Sequence, residues 1–273
     1  LTITAVDVFG TETEQVVPFT YSDANAWPLP YEIDWASVTA IQDVAAVVDG
    51  NWILDTEQGG VRMDEWGYDR LIAIGDETWD IDYEATMEFT IYEAYSDIGI
   101  GIATGWQGHE GDESPRIEWP LEAIGWLRLF PDTPEVHIVT YPGTIEATAP
   151  KPGVDFGQTY IIKVRTEVVS SQTSRFSVRL WAVGEEEPAE WDVSIEVPTR
   201  RGSALLVVHR TRMLVGDVTI TPLGGLAAPE AFNASTASDT EIEISWANVA
   251  EATGYRIERS IDQTDWAVVA TVN

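Results

Sequence analysis

The residues with the clearest potential for binding chemistry lie between positions 104 and 128. A polar stretch at 104–120 contains two indoles, and a third indole and a guanidinium follow shortly after it. Saccharides present C–H faces that stack on indole rings, and hydroxyl groups that need polar partners. The sequence therefore predicts a ligand-binding loop with these candidate residues: Trp106, Gln107, His109, Arg116, Trp119, Trp126 and Arg128. The alternative is that the three indoles are core or loop-anchoring residues.

A second candidate feature is the distribution of the few basic residues. Of 15 basic residues, eight fall between positions 163 and 212: Lys163, Arg165, Arg175, Arg179, Arg200, Arg201, Arg210 and Arg212. Several alternate along strand-like segments, so they should share one face of a sheet. They could bind sulfate or uronate groups of a polysaccharide through bidentate guanidinium contacts, or pair with carboxylates on neighbouring strands. We favour cross-strand pairing.

Motifs for catalysis are missing from the sequence. The three histidines, His109, His137 and His209, accompany no G-x-S-x-G nucleophile elbow, and the chain has no H-E-x-x-H zinc pattern and no phosphate-binding glycine loop. The absence of cysteine removes thiolate nucleophiles and thiolate metal ligands. We therefore expect this chain not to be an enzyme.

The charge of the chain restricts its partners. The 46 acidic and 15 basic residues give a formal net charge of -31. This excess repels nucleic-acid phosphates and anionic membrane surfaces, so we expect no nucleic-acid partner. No run of about 20 apolar residues occurs, so we expect no membrane insertion.

The elements that must position these residues are strands. Apolar and polar residues alternate with a period of two over 80–92, 160–168 and 175–180, which is typical of half-buried antiparallel strands. The segment 35–48 is compatible either with a helical turn or two or with a loop and a strand. Proline- and glycine-rich stretches at 27–30 and 224–229 predict linkers. The sequence thus predicts an all-β protein with three parts: a terminal hairpin over 1–22, a large module over 23–223 and a partial module over 227–273.

Each part resembles a known family. In the central module several features follow one another: a turn at 59–62, strand-like runs at 68–76 and 79–89, a hairpin between Trp181 and Trp191 and a final strand at 215–220. This order resembles that of the concanavalin A-like lectin and glucanase superfamily in its laminin G-like form. Residues 227–273, with Trp246 and the run Ala-Thr-Gly-Tyr-Arg-Ile-Glu-Arg-Ser at 252–260, resemble the first half of a fibronectin type III module. The hairpin over 1–22 is similar to the last strands of an immunoglobulin-like module. These resemblances imply a jelly-roll β-sandwich flanked by partial β-sandwiches.

The first resemblance also implies what to look for in the central module. Its superfamily includes lectins, hydrolases and inert spacers. Retaining hydrolases of this kind carry an E-x-D-x-x-E pattern, and the nearest string here, at 32–37, ends in serine. Three carboxylates at 80, 82 and 84 share one strand face, which in so acidic a chain is expected to be solvated exterior. Modules of this superfamily often hold a structural Ca²⁺, and Asp76, Asp112 and Asp217, at turns or strand starts, are its candidate ligands or ordinary turn residues.

The function that these features predict is non-catalytic binding or adhesion, with a polysaccharide or cell-surface glycan as ligand. The setting would be a large, multi-module, exported bacterial protein at the cell surface or outside the cell. One alternative is a structural subunit of an extracellular filament or surface layer, in which the partial modules of neighbouring copies exchange strands end to end. Another is an accessory region of a polysaccharide-degrading enzyme.

Overall fold

The protein is described here from a computed structural model. The described residues are 2–6, 12–16, 27, 29–63, 67, 70–75, 79, 81–94, 98–108, 121–129, 133–140, 144–170, 172–223, 232–238, 241–248, 255–259 and 267–272. Among them no helix has the length and apolar character needed to cross a bilayer.

Two antiparallel sheets form the central module. The seven-stranded sheet has the order β12-β11-β10-β9-β16-β7-β4. Its strands are β4 (Ala46–Asp49), β7 (Arg70–Ile74), β9 (Ile98–Trp106), β10 (Ala123–Arg128), β11 (Glu135–Thr140), β12 (Thr144–Pro150) and β16 (Ser203–Val208).

The eight-stranded sheet has the order β15-β14-β13-β8-β17-β6-β5, and β3 also pairs with β17. Its strands are β3 (Tyr31–Ile33), β5 (Trp52–Asp55), β6 (Gly60–Met63), β8 (Tyr83–Ala94), β13 (Thr159–Ser170), β14 (Thr173–Ala182), β15 (Val193–Pro198) and β17 (Thr211–Pro222). All neighbouring strands in this sheet are antiparallel. The predicted all-β, antiparallel sandwich is confirmed.

Alternation along the strands builds the core between the sheets. In β8 the polar residues at 84, 86 and 88 are half-buried, and the apolar side chains of Tyr83, Ala85, Met87 and Phe89 are buried. The same pattern in β13 buries Ile162 and Val164. Period-two alternation puts one side chain in two on the core face, which is why these segments fold as half-buried strands.

The segment 35–48 contains both structures that its sequence allowed. Two short 3₁₀ helices, Trp35–Ser37 and Ile41–Asp43, precede strand β4. The carboxylate of Asp34 accepts a hydrogen bond from the backbone N–H of Ala36 and so caps the first of them. The Trp35 indole is fully buried and donates from Nε1 to the carbonyl of Gly216 at 2.9 Å, which ties this turn to the sandwich.

Hairpins lie at both ends of the chain. β1 (Thr2–Val6) pairs with β2 (Glu12–Val16), β18 (Asn233–Ser238) with β19 (Glu241–Ser245), and β20 (Tyr255–Arg259) with β21 (Ala267–Val272). Each pair is a separate two-stranded sheet. Their membership of immunoglobulin-like and fibronectin type III-like modules stays a prediction.

Candidate functional site

The seven-stranded sheet has a side turned away from the core, which we call the outer face. Directly paired residues on neighbouring antiparallel strands point to the same side. One such row runs across the sheet through His137, Trp126, Gly101, Val207 and Leu71. Its apolar members belong to a cluster that is separate from the sandwich core. The outer face therefore carries side chains that the core does not use.

Glycines in β9 make room for the indole of Trp126 on this face. A Cβ atom added at Gly101 would lie 3.0 Å from the Trp126 ring and 2.5 Å from the carbonyl oxygen of Gly125. Trp126 is consequently packed against the backbone of β9 and is 7% exposed, and Trp106 is 9% exposed in the same cluster. Both indoles are fixed parts of the outer face.

Polar side chains gather beside Trp126 at one end of the outer face. His137 is paired with Trp126, and Glu135 is paired with Arg128 one step further along the two strands. His137 Nε2 lies 2.8 Å from Glu135 Oε2, while the His137 and Glu135 side chains are 4% and 26% exposed. We call these three residues, Glu135, His137 and Arg128, the polar end.

The two ends of the predicted binding loop are held by a buried carboxylate. Glu122 is 2% exposed, and its Oε2 accepts hydrogen bonds from Thr104 Oγ1 at 2.8 Å and from Thr166 Oγ1. Its backbone N–H also donates to the carbonyl of Thr104 at 2.9 Å. Because Thr166 belongs to the other sheet, Glu122 links the two layers where β9 ends and β10 begins. Burial, together with the nearby Glu122, raises the pKa of Tyr83.

The predicted ligand-binding residues do not form one cluster. Gln107 lies just past the end of β9 that is opposite to the polar end, and its Nε2 donates to the carbonyl of Arg201 at 3.0 Å. Arg128 pairs with Ile98, the first residue of β9, which lies nine residues before Gln107, so the two positions are about 30 Å apart along the strand. Trp126 lies between them. His109, Arg116 and Trp119 lie outside the described residues.

Two members of the polar end, Glu135 and His137, are not among the predicted ligand-binding residues. Glu135 and His137 alternate with Val136 and Ile138, which are both buried in the core, and this pattern could have placed them on the outer face. What the sequence could not supply is the register that sets His137 beside Trp126.

Of the predicted calcium ligands, Asp217 is described, whereas Asp76 and Asp112 lie outside the described residues. Partial burial, and then repulsion from Asp34, raise the pKa of Asp217. Burial and repulsion from Asp217 likewise raise the pKa of Glu88. Within the described ranges no group of three or more possible ligands surrounds a common point.

Five of the eight basic residues lie on strands of the eight-stranded sheet and pair with carboxylates: Lys163, Arg165, Arg175, Arg179 and Arg212. Lys163 Nζ is 2.7 Å from Glu187 Oε1 and 3.5 Å from Glu84 Oε2, while Arg165 forms an ion pair with Glu84 and Arg179 with Glu187. Cross-strand pairing, the interpretation that we favoured, is confirmed for Lys163 and Arg165, which pair with Glu84 on the neighbouring strand. Glu187, the partner of Lys163 and Arg179, lies in the connection between β14 and β15.

An indole covers part of this ion-pair network. The guanidinium carbon of Arg179 lies 4.1 Å from the ring centroid of Trp191, and that of Arg165 lies 5.1 Å from it. Cations stacked on an indole are stabilised by the ring quadrupole, more so when water is excluded. The indole and the carboxylates thus occupy guanidinium groups that a sulfated ligand would need.

The central module is an antiparallel two-sheet sandwich. One solved structure with a similar fold is the metal-free carbohydrate recognition domain of Emp46p, with a TM-score of 0.50 at 10% identity over 72% of this chain and 98% of that chain. The metal-free exoplasmic/lumenal domain of VIP36 has a TM-score of 0.49 at 14% identity over 79% and 97%. The carbohydrate-binding module CBM66 from Bacillus subtilis has a TM-score of 0.44 at 16% identity over 65% and 94%. No protein-family model matches the chain, and no curated protein matches it in sequence.

At such low identities these likenesses concern the fold alone. The likeness to the Emp46p domain supports the antiparallel two-sheet sandwich that the sequence predicted.

Proposed function

We propose that this protein binds a saccharide at the polar end of the outer face and performs no catalysis there. The observation that carries the proposal is the position of the Glu135–His137 pair beside Trp126, on a side of the sheet that the core does not use. The similar fold of the Emp46p domain, which is a carbohydrate recognition domain, agrees with this proposal.

The side chains of the polar end have complementary roles toward a sugar. Glu135 keeps oxygen acceptors at the surface because its side chain is 26% exposed, and Arg128 supplies N–H donors. His137 holds the Glu135 carboxylate in place, since its imidazole lies 2.8 Å away and is almost fully buried. Trp126 forms a rigid apolar border with only a small exposed edge. Hydroxyl recognition by pre-positioned polar groups next to an indole is typical of saccharide binding.

Affinity electrophoresis tests the proposal. We expect the protein to be retarded in a native gel containing at least one of laminarin, agarose, alginate and carrageenan. Glu135→Gln and Arg128→Ala should each weaken that interaction about tenfold or more, because each removes a hydrogen bond that involves a charged group.

Matched substitutions on the other sheet provide the controls. Glu196→Gln and Arg212→Ala change residues whose side chains are 59% and 66% exposed, and they should leave the retardation unchanged. Absence of retardation in all four gels would overturn the proposal, as would equal retardation of the polar-end variants and the wild type.

We further propose that the sandwich works as an adhesive module of an exported, multi-module protein, flanked by the hairpins described above. Calcium remains a hypothesis that depends on Asp76 and Asp112. Thermal unfolding in about 1 mM Ca²⁺, a concentration on the order of the affinity of extracellular calcium modules, is compared with unfolding in EGTA. The calcium hypothesis predicts a higher melting temperature in Ca²⁺.

A further inference from the structure

A pocket opens where the chain crosses from one sheet to the other. Strand β12 of the seven-stranded sheet leads through residues 151–158 into β13 of the eight-stranded sheet. Across from this crossover, β14 ends and the connection to β15 begins. The pocket between them has a cavity volume of about 350 Å³. This volume lies at the lower end of the range of about 300–1,000 Å³ in which proteins bind small molecules.

The walls of the pocket are held by contacts between these two segments. Lys151 Nζ lies 2.8 Å from each carboxylate oxygen of Asp192, which joins the crossover to the start of β15. Tyr160 Oη donates to the carbonyl of Gly153 at 3.0 Å and accepts from the backbone N–H of Asp155 at 2.8 Å. The pocket is therefore a preformed feature of the sandwich.

The lining combines apolar surfaces with both hydrogen-bond donors and acceptors. Trp181, Pro152 and Pro188 supply the apolar surfaces, and Gln158 and Glu185 supply polar groups from opposite sides. Lys163 also lies near the Trp181 ring, with its Nζ 5.8 Å from the ring centroid. An indole next to an amide and a carboxylate offers the apolar and polar contacts that a sugar ring needs.

The charges of the lining favour a neutral ligand. The one lysine of the pocket is already neutralised by Asp192, and Glu185 adds a negative charge. A sulfate, phosphate or carboxylate group would therefore be repelled here. A neutral polyhydroxylated molecule meets no such penalty.

The pocket also lies close to the polar end. Pro150 is the register partner of Glu135, and the backbone N–H of the next residue, Lys151, donates to the carbonyl of Pro134 at 2.6 Å. Only the last residues of the edge strand β12 separate the two places. Consecutive units of one glycan could thus reach both.

We propose that this pocket is a second saccharide subsite, which takes one neutral pyranose unit. The proposal extends the proposed function, because it assigns the same class of ligand, but it depends on different residues. The two can therefore be tested separately.

Chemical-shift titration of the ¹⁵N-labelled full chain tests the subsite. The probes are the methyl glycosides of D-mannose, D-glucose and D-galactose, and the reporter is the indole N–H signal of Trp181, assigned with Trp181→Phe. We expect a saturable shift with at least one probe, with a dissociation constant on the order of millimolar. Gln158→Trp, which fills the pocket from an exposed position, should abolish the shift, and Glu185→Ala should weaken the binding several-fold.

Three controls separate the possible outcomes. Gln172→Trp and Glu186→Ala change exposed residues that do not line the pocket, and they should leave the titration unchanged. Glu135→Gln should also leave it unchanged, whereas the same variant weakens the interaction with polysaccharide about tenfold or more if the proposed function is right. No saturable shift with any probe, or a shift that survives Gln158→Trp, overturns the subsite. Absence of retardation of the wild type in all four gels, with the titration intact, overturns the proposed function and leaves the subsite standing.

Discussion

Thr166 offers a direct test of the buried link between the two sheets. Its hydroxyl donates to the Glu122 carboxylate, and both residues are 2% exposed. Thr166→Val keeps the shape of the side chain and removes the donor. Glu122 Oε1 already has no hydrogen-bond partner within the described part of the chain, so the carboxylate would keep only Thr104 as a side-chain donor.

The expected cost follows from the charge of the acceptor. A hydrogen bond to a charged group contributes about 1.5–3 kcal/mol, compared with about 0.5–1.5 kcal/mol for a neutral pair. In a sandwich of roughly 200 residues, each kcal/mol lowers the melting temperature by about 2–4 °C. Thr166→Val should therefore lower the melting temperature by about 3–12 °C.

Calorimetry and guanidinium unfolding at pH 7 measure this effect. The matched control is Thr221→Val, an exposed threonine on β17, which should change the stability by less than about 0.5 kcal/mol. In a Glu122→Gln background the cost of Thr166→Val should fall by about 1 kcal/mol, because the acceptor is then a neutral amide. The reasoning fails if Thr166→Val costs no more than the control, or if the cost is the same in both backgrounds.

Three other predictions concern stability measured by thermal unfolding. Gly125→Ala should cost about 1–3 kcal/mol, because its Cβ would lie 2.9 Å from two valine side chains of the core. Asp217→Asn should raise the melting temperature at pH 7. Because the folded-state pKa of Asp217 is raised above its ordinary 3.8, the charged form costs stability above that raised pKa, and the gain should shrink as the pH falls toward 4. Arg179→Lys should cost about 1–2 kcal/mol because it loses the flat stacking on Trp191, whereas Arg175→Lys should cost little.

Each of these has an outcome that contradicts it. The first prediction is wrong if Gly125→Ala leaves the stability unchanged. The second is wrong if Asp217→Asn lowers the stability at pH 7, or if it raises the stability by the same amount at pH 4 as at pH 7. Equal effects of the two arginine substitutions would show that stacking on the indole adds nothing to the ion pairs.

The strands of the sandwich were largely predictable, because apolar and polar residues alternate along each strand and this pattern is visible in the local sequence. β8 illustrates this: the apolar positions predicted from 81 onward are the ones that the structure buries between Tyr83 and Ile91. The segment 35–48 was ambiguous because its spacing suits a short helix as well as a strand, and the structure uses both.

The arrangement of the candidate sites was less predictable, since it depends on register and on crossovers. Composition alone was enough to select Trp126 and Arg128, but the neighbours of Trp126 come from another strand. The contact that holds the walls of the pocket joins Lys151 to Asp192, which are 41 residues apart in sequence. No local pattern signals such a contact.

The ion-pair network affects how the stability of the folded protein depends on salt concentration. At least nine of the 15 basic residues form ion pairs with carboxylates. Because the 46 acidic residues outnumber the 15 basic residues about three to one, the carboxylates in excess repel one another. Dissolved salt screens over about 8–10 Å, so it relieves this diffuse repulsion more than it weakens half-buried pairs in contact. The folded chain should accordingly melt at a higher temperature in brine than in fresh water.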